Sequence, residues 1–351
     1  TKPQGELVIL PGYIINKKEN KLAYKFDIYA TNPISRGYVY VDAQNGEILL
    51  YNAIIKHADK LVNVNFDKPN TTKKSNSADK ILVAGNAATR YSGTRSIETT
   101  LSGGSYIMSD NTRGNGINTY DLNTGTNYSS AVNFADNDNN WTSTEWDNTA
   151  KDNGALDAHW GAEMTYDYWL NKHGRNSFDN AGAAINSYVH YDVAYDNAFW
   201  DGSRMTYGDG SSDGTVGNGY FDILTSLDVA AHEIGHAVCT NTANLAYQKE
   251  SGAMNEAFSD IWAAAVEYYA APEKSTWLIG EDIERRTTSV SLRSMSDPKA
   301  EGQPDTYGGT NWVSVNCTPT STNDYCGVHT NSGVLNHWFY ILSVGKSGTD
   351  D

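Results

Sequence analysis

The residues whose types and spacing best suit chemistry lie in one short segment, His232 to His236, which reads His-Glu-Ile-Gly-His. On an α-helix, residues four apart differ by about 40° around the axis, so the two histidines project from one face. Two such imidazoles can bind one Zn²⁺ ion, and Glu233 then lies within reach of a zinc-bound water without being a ligand. With only 8 histidines in the chain, a chance match is rare. Two solvated histidines on a helical face are the alternative.

A third metal ligand is expected from a second helical segment, in which Glu256 and Asp260 are also four residues apart. One carboxylate can bind the metal while the other holds a histidine, because a metal-bound histidine usually donates its second N–H to a carboxylate. The neighbouring residues are small or apolar: Ala257, Ile261, Ala264 and Ala265. They indicate a buried face rather than the alternative of two acids on a solvated helix.

Helices must position these residues, and helical periodicity appears in the second half of the chain. We predict helices over 158–172, 225–242 and 255–270, and a last one from about Ser332. Residues 84–140 are rich in Gly, Asn, Thr and Tyr, with the short alternating runs of an antiparallel sheet. Strands followed by helices predict an α+β enzyme with its site at the domain junction.

The first 57 residues predict a separate, small β-rich unit. Runs of strand composition lie at 7–10, 22–29 and 38–42, and Asn45-Gly46 between two β-rich runs is a strong hairpin signal. Residues 67–80 are rich in Lys, Asn, Thr and Ser without periodicity, which indicates an exposed linker. We therefore expect a domain boundary there.

The composition excludes two classes of partner. A net charge of −16, from 42 acidic and 26 basic residues, argues against nucleic acid, because phosphate binding needs a basic surface. The absence of any run of 18 or more apolar residues argues against a membrane span. The chain begins with Thr rather than Met, so we expect that any targeting segment has been removed or left out of this sequence.

Three cysteines are present. Cys317 and Cys326 flank a loop rich in Gly, Asn, Thr and Pro, which suits a local disulfide in an oxidising compartment. Cys239 follows the histidine helix and has the setting of a small buried hydrophobe.

Five ordered motifs carry a resemblance to a known family. They read Asn-Ala-Phe-Trp at 197–200, His-Glu-x-x-His at 232–236, Gly-Ala-Met-Asn-Glu-Ala-x-Ser-Asp at 252–260, Arg-Ser-Met-Ser-Asp-Pro at 293–298 and Gly-Val-His-x-Asn-Ser-Gly at 327–333. Between about Asp110 and Val344 the chain resembles the thermolysin-like metallopeptidases. The resemblance implies a two-domain zincin, with a β-rich N-terminal domain, a helical C-terminal domain and the active-site helix between them.

The resemblance also assigns roles in catalysis. It implies that His232, His236 and Glu256 bind one zinc ion, with water in the fourth position. Glu233 would take a proton from that water and return it to the leaving amine, and Asp260 would hold His232 from outside the ligand set.

Further roles follow from the same resemblance. His329 and Tyr247 would donate hydrogen bonds to the oxyanion, and Asp324 would orient His329. The substrate backbone would bind Asn197, the Ala198 carbonyl and Arg293, although Arg293 as a structural ion-pair partner stays open. A specificity pocket would be lined by Phe221, Leu224, Val229, Ile279 and Leu292. It predicts cleavage on the amino side of bulky hydrophobic residues; core packing of these five residues is the alternative.

Two calcium sites are implied by the resemblance. One is the loop containing Asp136, Asp138 and Asn140, for which a simple turn is the alternative. The other comprises Asp228, Glu267 and Glu281. Thr276 and Leu278 stand where a two-calcium version of that site has carboxylates, so we expect one ion there.

The resemblance further divides the chain into four parts. Residues 1–57 would be the C-terminal part of an inhibitory propeptide, and 58–84 a linker with the maturation site. Residues 85–240 would form the N-terminal catalytic domain with the zinc helix, and 241–351 the C-terminal helical domain, which we expect to be incomplete.

The resulting hypothesis is a secreted, monomeric zinc endopeptidase that hydrolyses proteins and peptides and is made as a zymogen inhibited by its own propeptide. A catalytically silent zinc scaffold and another zinc hydrolase, such as an aminopeptidase, are the alternatives. Glu233 argues against the scaffold, because a structural zinc site has four closed ligands and needs no base.

Overall fold

The N-terminal unit is an antiparallel sheet in the strand order β1-β2-β3-β4. The computed structural model describes residues 4–15, 17–31, 34–57 and 81–345, so residues 58–80 of the predicted linker lie outside the described residues. The last four residues of the predicted linker, 81–84, instead begin a β-strand. The strands are β1 Glu6–Leu10, β2 Lys21–Thr31, β3 Ile34–Asp42 and β4 Ile48–Ala53. The predicted hairpin at Asn45-Gly46 is confirmed: Gly46 has φ +78°, a conformation that glycine adopts without strain, and its N–H donates to the Asp42 carbonyl.

Two further sheets build the region before the histidine helix. The first has the order β11-β10-β14-β16-β15-β5, with β9 beside β10, and the second has the order β12-β8-β7-β6-β13. Their strands are β5 Lys56–His57, β6 Ile81–Ala88, β7 Thr94–Ser102, β8 Ser105–Ile107, β9 Ser109–Asp110, β10 Ile117–Asp121, β11 Val132–Asn133, β12 Ala135–Asp136, β13 Asn140–Trp141, β14 Ile185–Val189, β15 Ala198–Trp200 and β16 Met205–Tyr207. A short ladder joins β17 Leu278–Ile279 to β18 Arg293–Ser294.

The helices are α1 Ser143–Trp146, α2 Asn153–His173, α3 Leu227–Thr240, α4 Lys249–Ala270, α5 Asp324–Asn331 and α6 Gly333–Val344. The four predicted helices are therefore present, and the α+β class is confirmed. Two of them begin earlier than predicted. At α2 the weak helix formers Asn153 and Gly154 are buried, and a Cβ on Gly154 would lie 2.8 Å from the Ile223 side chain. Tertiary packing here outweighs local propensity.

Helices α2, α3 and α4 pack around one hydrophobic core. All of α3 except Thr240 is buried. The α3–α4 approach is close at Gly235, where a Cβ would lie 3.0 Å from the Ser259 Cα. This short spacing lets the side chains of α4 reach the histidines of α3. Within the described residues, none of the helices is both long and apolar enough to cross a lipid bilayer.

Candidate metal centre

Three side chains converge between α3 and α4. Ligand atoms of His232, His236 and Glu256 lie within 4.8 Å of one another, and all three residues are fully buried. The Nε2 atoms of both histidines and Oε2 of Glu256 have no hydrogen-bond partner. Buried polar atoms nearly always have one, so these orphaned atoms fit a bound metal ion. Two nitrogens and one oxygen, with a further position left open, are the donor set of a catalytic zinc site.

The first histidine is fixed by a buried polar network. His232 Nδ1 donates to Asp260 Oδ1 at 2.8 Å, which directs Nε2 towards the other ligands. Arg293 donates to both Asp260 oxygens at 2.7 Å, and Asn336 Nδ2 donates to Oδ2 at 2.8 Å. Burial opposes ionisation of Asp260, but the positive charge of Arg293 outweighs it and lowers the pKa of this carboxyl. Arg293 is thus held by an ion pair, and its contact with substrate stays a prediction.

The second histidine has a partner that was not predicted from the sequence. His236 Nδ1 donates to Asn255 Oδ1 at 2.8 Å, and Ser259 Oγ lies 3.1 Å from the same nitrogen. Asn255 and Ser259 are four residues apart on α4, flanking the ligand Glu256. Their spacing was available in the sequence, but Asn and Ser on a helix usually make local contacts with the backbone.

Glu233 is buried, and no side chain donates a hydrogen bond to its carboxylate. Neither of its oxygens makes a hydrogen bond of normal geometry, although the backbone N–H of Trp200 lies close enough to lower its pKa. Burial raises the pKa of this carboxyl to about 8, although the neighbouring His232 lowers it. A buried glutamate with both oxygens free, next to a ligand histidine in the sequence, has the position of a proton acceptor.

On the other side of the triad lie Tyr247 and His329, the predicted oxyanion donors. The Tyr247 hydroxyl donates to Glu256 Oε1 and lies 3.2 Å from His329 Nε2. His329 Nδ1 donates to Asp324 Oδ1 at 2.5 Å, so its Nε2 faces the centre. All the residues predicted around the zinc ligands are therefore brought together.

The Asp324–His329 contact depends on an unusual turn. Asp324, Tyr325, Cys326 and Gly327 all have left-handed backbone angles, with φ between +48° and +80°. This turn carries the Asp324 carboxylate back to the His329 backbone N–H, which donates to it at 3.0 Å. The predicted disulfide is present in the structure: Cys317 is bonded to Cys326 inside the turn.

The predicted substrate residues lie at strand β15 and in the main hydrophobic core. Asn197 precedes β15, and Ala198 is its first residue; both are buried. Phe221, Leu224, Val229 and Ile279 belong to the main hydrophobic core, and Leu292 packs against it. Pocket lining and core packing remain equally compatible with these positions.

The N-terminal unit also contacts strand β15. Strand β5 pairs antiparallel with β15, with Lys56 opposite Trp200 and His57 opposite Phe199. Lys56 is 4 % exposed, and its Nζ donates to Thr240 Oγ1 at 2.9 Å. Burial lowers the pKa of its ammonium group to about 8. No local sequence pattern signals this contact, which joins segments far apart in the chain.

The predicted calcium ligands differ in their surroundings. In the 136–140 loop, Asp136 Oδ2 accepts from the Asp138 N–H at 3.1 Å, and Asp138 Oδ1 accepts from the Asn140 N–H at 3.0 Å. A simple Asx turn would contain the same hydrogen bonds, so they do not distinguish a calcium loop from a turn. At the second group, both Glu267 oxygens and one Glu281 oxygen are buried without a hydrogen-bond partner. Burial, together with the charges of Asp228 and Glu281, raises the pKa of Glu267 to about 10.

Two histidines on one helix and a glutamate on the next, with a free glutamate beside them, define a class of metal-dependent hydrolases. Family models identify the class more closely: residues 84–240 match the thermolysin metallopeptidase catalytic domain, and 243–350 match the α-helical domain of the same family. The chain belongs to the thermolysin metallopeptidase family.

Relatives support this assignment. The chain is 38 % identical over 345 residues to bacillolysin from Brevibacillus brevis, covering 98 % of this chain and 54 % of that protein. It is 39 % identical over 331 residues to thermolysin from Alicyclobacillus acidocaldarius, covering 93 % and 54 %. It thus spans about half the length of these relatives. Among solved structures, the precursor of protealysin, a metalloproteinase from Serratia proteamaculans, matches with a TM-score of 0.52 and 30 % identity, covering 65 % of this chain and 68 % of that one.

Proposed function

We propose that this chain is a zinc-dependent endopeptidase made as an inhibited precursor. The observation that carries the proposal is the convergence of three buried ligand atoms that lack other partners, beside a glutamate with both oxygens free. A structural metal site would have no use for Glu233 in that position.

The chain's own residues supply the proton transfers. A bound zinc ion would polarise the scissile carbonyl and lower the pKa of a coordinated water. Glu233 accepts the proton of the attacking water and later delivers it to the leaving amine. Tyr247 and His329 donate hydrogen bonds to the oxyanion. Asp324 accepts from His329 Nδ1, which turns Nε2 towards the reaction and favours the doubly protonated ring, the form in which Nε2 is a donor.

Peptide substrates would bind as an added strand along β15. In this arrangement Asn197 and the Ala198 carbonyl bind the substrate backbone, and Arg293 donates to it. The five apolar residues at 221, 224, 229, 279 and 292 would accept a bulky side chain, so cleavage falls on its amino side. Addition of a strand to an exposed sheet edge is a common mode of peptide recognition.

The N-terminal unit would inhibit the enzyme by occupying that edge. Strand β5 takes the place of a substrate strand on β15, and Ile55 packs with Tyr191, Tyr195 and Phe199. Asn52 Oδ1 accepts from the Tyr247 N–H at 2.9 Å, and Arg36 donates to the Asp201 carbonyl at 3.2 Å. Several anchors of this kind, together with a buried lysine, support the role of residues 1–57 as a propeptide.

Calcium would bind at two places, the 136–140 loop and the group formed by Asp228, Glu267 and Glu281. The orphaned Glu267 oxygens support the second site. We also propose that the protein is secreted, which the disulfide supports, and that it is a monomer whose substrates are proteins and peptides.

The decisive experiment is cleavage of an internally quenched peptide, with both ends blocked, after an added protease has released the N-terminal unit from both the parent and Glu233→Gln. Glu233→Gln should lower kcat/KM by roughly 10²–10⁴-fold while zinc content stays at one ion per chain. Without the added protease, N-terminal sequencing should show loss of the N-terminal unit on incubation of the parent but not of the variant. Zinc binding without cleavage would indicate a scaffold. Cleavage only of peptides with a free N-terminus would indicate an aminopeptidase.

A further inference from the structure

The side chain of Lys56, on strand β5 of the N-terminal unit, is enclosed at the end of helix α3. Its ammonium donates a hydrogen bond to the hydroxyl of Thr240, the last residue of that helix, at 2.9 Å. The same ammonium lies 5.8 Å from the centroid of the Tyr247 ring. Only 4 % of the lysine is exposed, so this pocket, the Lys56 pocket, surrounds a long basic side chain almost completely.

Three features of the Lys56 pocket suit a positive charge, whose burial is unfavourable without partners. The Thr240 hydroxyl donates its proton to the His236 carbonyl at 2.9 Å, so its oxygen faces the ammonium as an acceptor. The last turn of α3 contains no basic residue, so a cation from elsewhere in the chain can interact with the partial negative charge at this helix end. The Tyr247 ring adds a weak cation–π attraction.

Strand β5 holds Lys56 where a substrate side chain would lie. It pairs antiparallel with β15, with Lys56 opposite Trp200. A peptide added to a sheet edge binds through its backbone, and its alternate side chains enter pockets that give specificity. A substrate strand that replaces β5 in the same direction would therefore place one of its side chains in the Lys56 pocket.

We propose that the Lys56 pocket is a substrate subsite for lysine-type side chains, which Lys56 fills until the N-terminal unit is released. The inference rests on the proposed endopeptidase function and on the proposed binding of substrates along β15. It assigns to Thr240 a role in specificity. The favoured basic residue lies on the acyl side of the cleaved bond, because Lys56 precedes the predicted maturation site.

The test compares peptides that differ by a single ammonium group. Internally quenched peptides carry either lysine or norleucine at one of the three positions before the cleaved bond. Each pair competes in one reaction with enzyme from which an added protease has released the N-terminal unit. At one position lysine should give a kcat/KM about tenfold above that of norleucine, as expected for a hydrogen bond to a charged group.

Variants of Thr240 locate the preference. Thr240→Val should bring the ratio close to one, and Thr240→Ser, which keeps a hydroxyl, should retain the parent ratio. Thr240→Ala provides the same test if the valine variant folds poorly. Because the two peptides compete in one reaction, the ratio does not depend on how much of a variant is folded.

The matched control is Thr242→Val, which removes a hydroxyl bonded to the Val238 carbonyl just beyond the end of α3. It should keep the parent ratio. A parent ratio near one at all three positions overturns the inference, and so does a lysine preference that survives Thr240→Val. Failure to cleave any of the peptides, including those with norleucine, would instead contradict the endopeptidase function itself.

Discussion

The same two helices carry two groups of ligand-type side chains that differ in how they are held. At the zinc centre, His232 is fixed by Asp260 and His236 by Asn255, so their free nitrogens are already aimed at one point. The second group comprises Asp228 at the start of α3, Glu267 near the end of α4, and Glu281. There, Glu267 has no hydrogen-bond partner. In the described part of the chain, only the zinc centre brings three ligand atoms within 4.8 Å of one another.

This difference separates catalysis from stability. A centre whose ligands are held by the protein keeps its shape without the ion, and the ion then adds chemistry. A buried carboxylate without a hydrogen-bond partner, such as Glu267 beside the charges of Asp228 and Glu281, would be stabilised by a cation, so an ion bound there would add stability. Changes at the first site should affect turnover, and changes at the second should affect unfolding.

Apart from Glu233, the largest effect is expected at His329. His329→Ala should lower kcat/KM by about 10²–10³-fold, because it removes one oxyanion donor. Zinc content and melting temperature should stay near those of the parent. His173→Ala, at an exposed position at the end of α2, is the matched control. A loss of zinc together with the loss of turnover would contradict the assigned role.

The outer partner of His236 provides a sharper test of how the ligands are held. Asn255→Ala should weaken zinc binding by roughly 10–100-fold, as is usual for such partners. Competition with a chromophoric chelator measures the affinity. Ser251→Ala, on the same helix but hydrogen-bonded to the Ala246 carbonyl, should leave it unchanged. Equal affinities in the two variants would mean that the protein does not preorganise this centre.

The carboxylate group should respond in the opposite way. In zinc-containing buffer, removal of calcium should lower the melting temperature by roughly 5–10 °C relative to calcium at about 100 times its Kd. Glu267→Gln should reduce this dependence and leave kcat/KM within about twofold, because it lies outside the catalytic residues. Differential scanning calorimetry and the peptide assay test both halves. A fall in turnover without a change in melting temperature would reverse the comparison.

The smallest effect is expected at a third charged group. His190 is buried between Asp209 at 2.6 Å and Asp152 at 3.1 Å, with Asp121 also near. Burial alone would lower its pKa, but these partners outweigh it and raise the pKa to about 9. Protonation therefore stabilises the fold fully below pH 6.5, and this contribution is lost as the pH rises through 9. Between those values the free energy of unfolding should fall by about 2 kcal/mol more in the parent than in His190→Gln. Denaturant titrations at both pH values, in the Glu233→Gln background, measure the difference.

The sequence predicted those parts of the site that depend on local spacing. Residues four apart on a helix share a face, so the pairing of His232 with His236, and of Glu256 with Asp260, follows from their spacing alone. Lys56 could not be predicted, because its contact with Thr240 depends on how two remote segments pack. The left-handed turn that begins at Asp324 could not be predicted either, since Tyr325 and Cys326 within it are residue types that rarely adopt this conformation. Phe221 and its four companions stay ambiguous because pocket walls and cores have the same composition.

The pairing of β5 with β15 has a further consequence for the fate of the protein before it acts. An uncovered strand at the edge of a sheet is a template for any extended chain, including another copy of itself, and is therefore an aggregation hazard. Under the proposed mode of substrate binding, activity requires such an edge, so a charge or a proline placed there to prevent aggregation would also impair activity. With β5 in place, this edge of the sheet is paired and not available to another chain. The N-terminal unit would thus limit aggregation as well as inhibit the enzyme. Its release would expose the active site and the aggregation-prone edge of β15 at the same time.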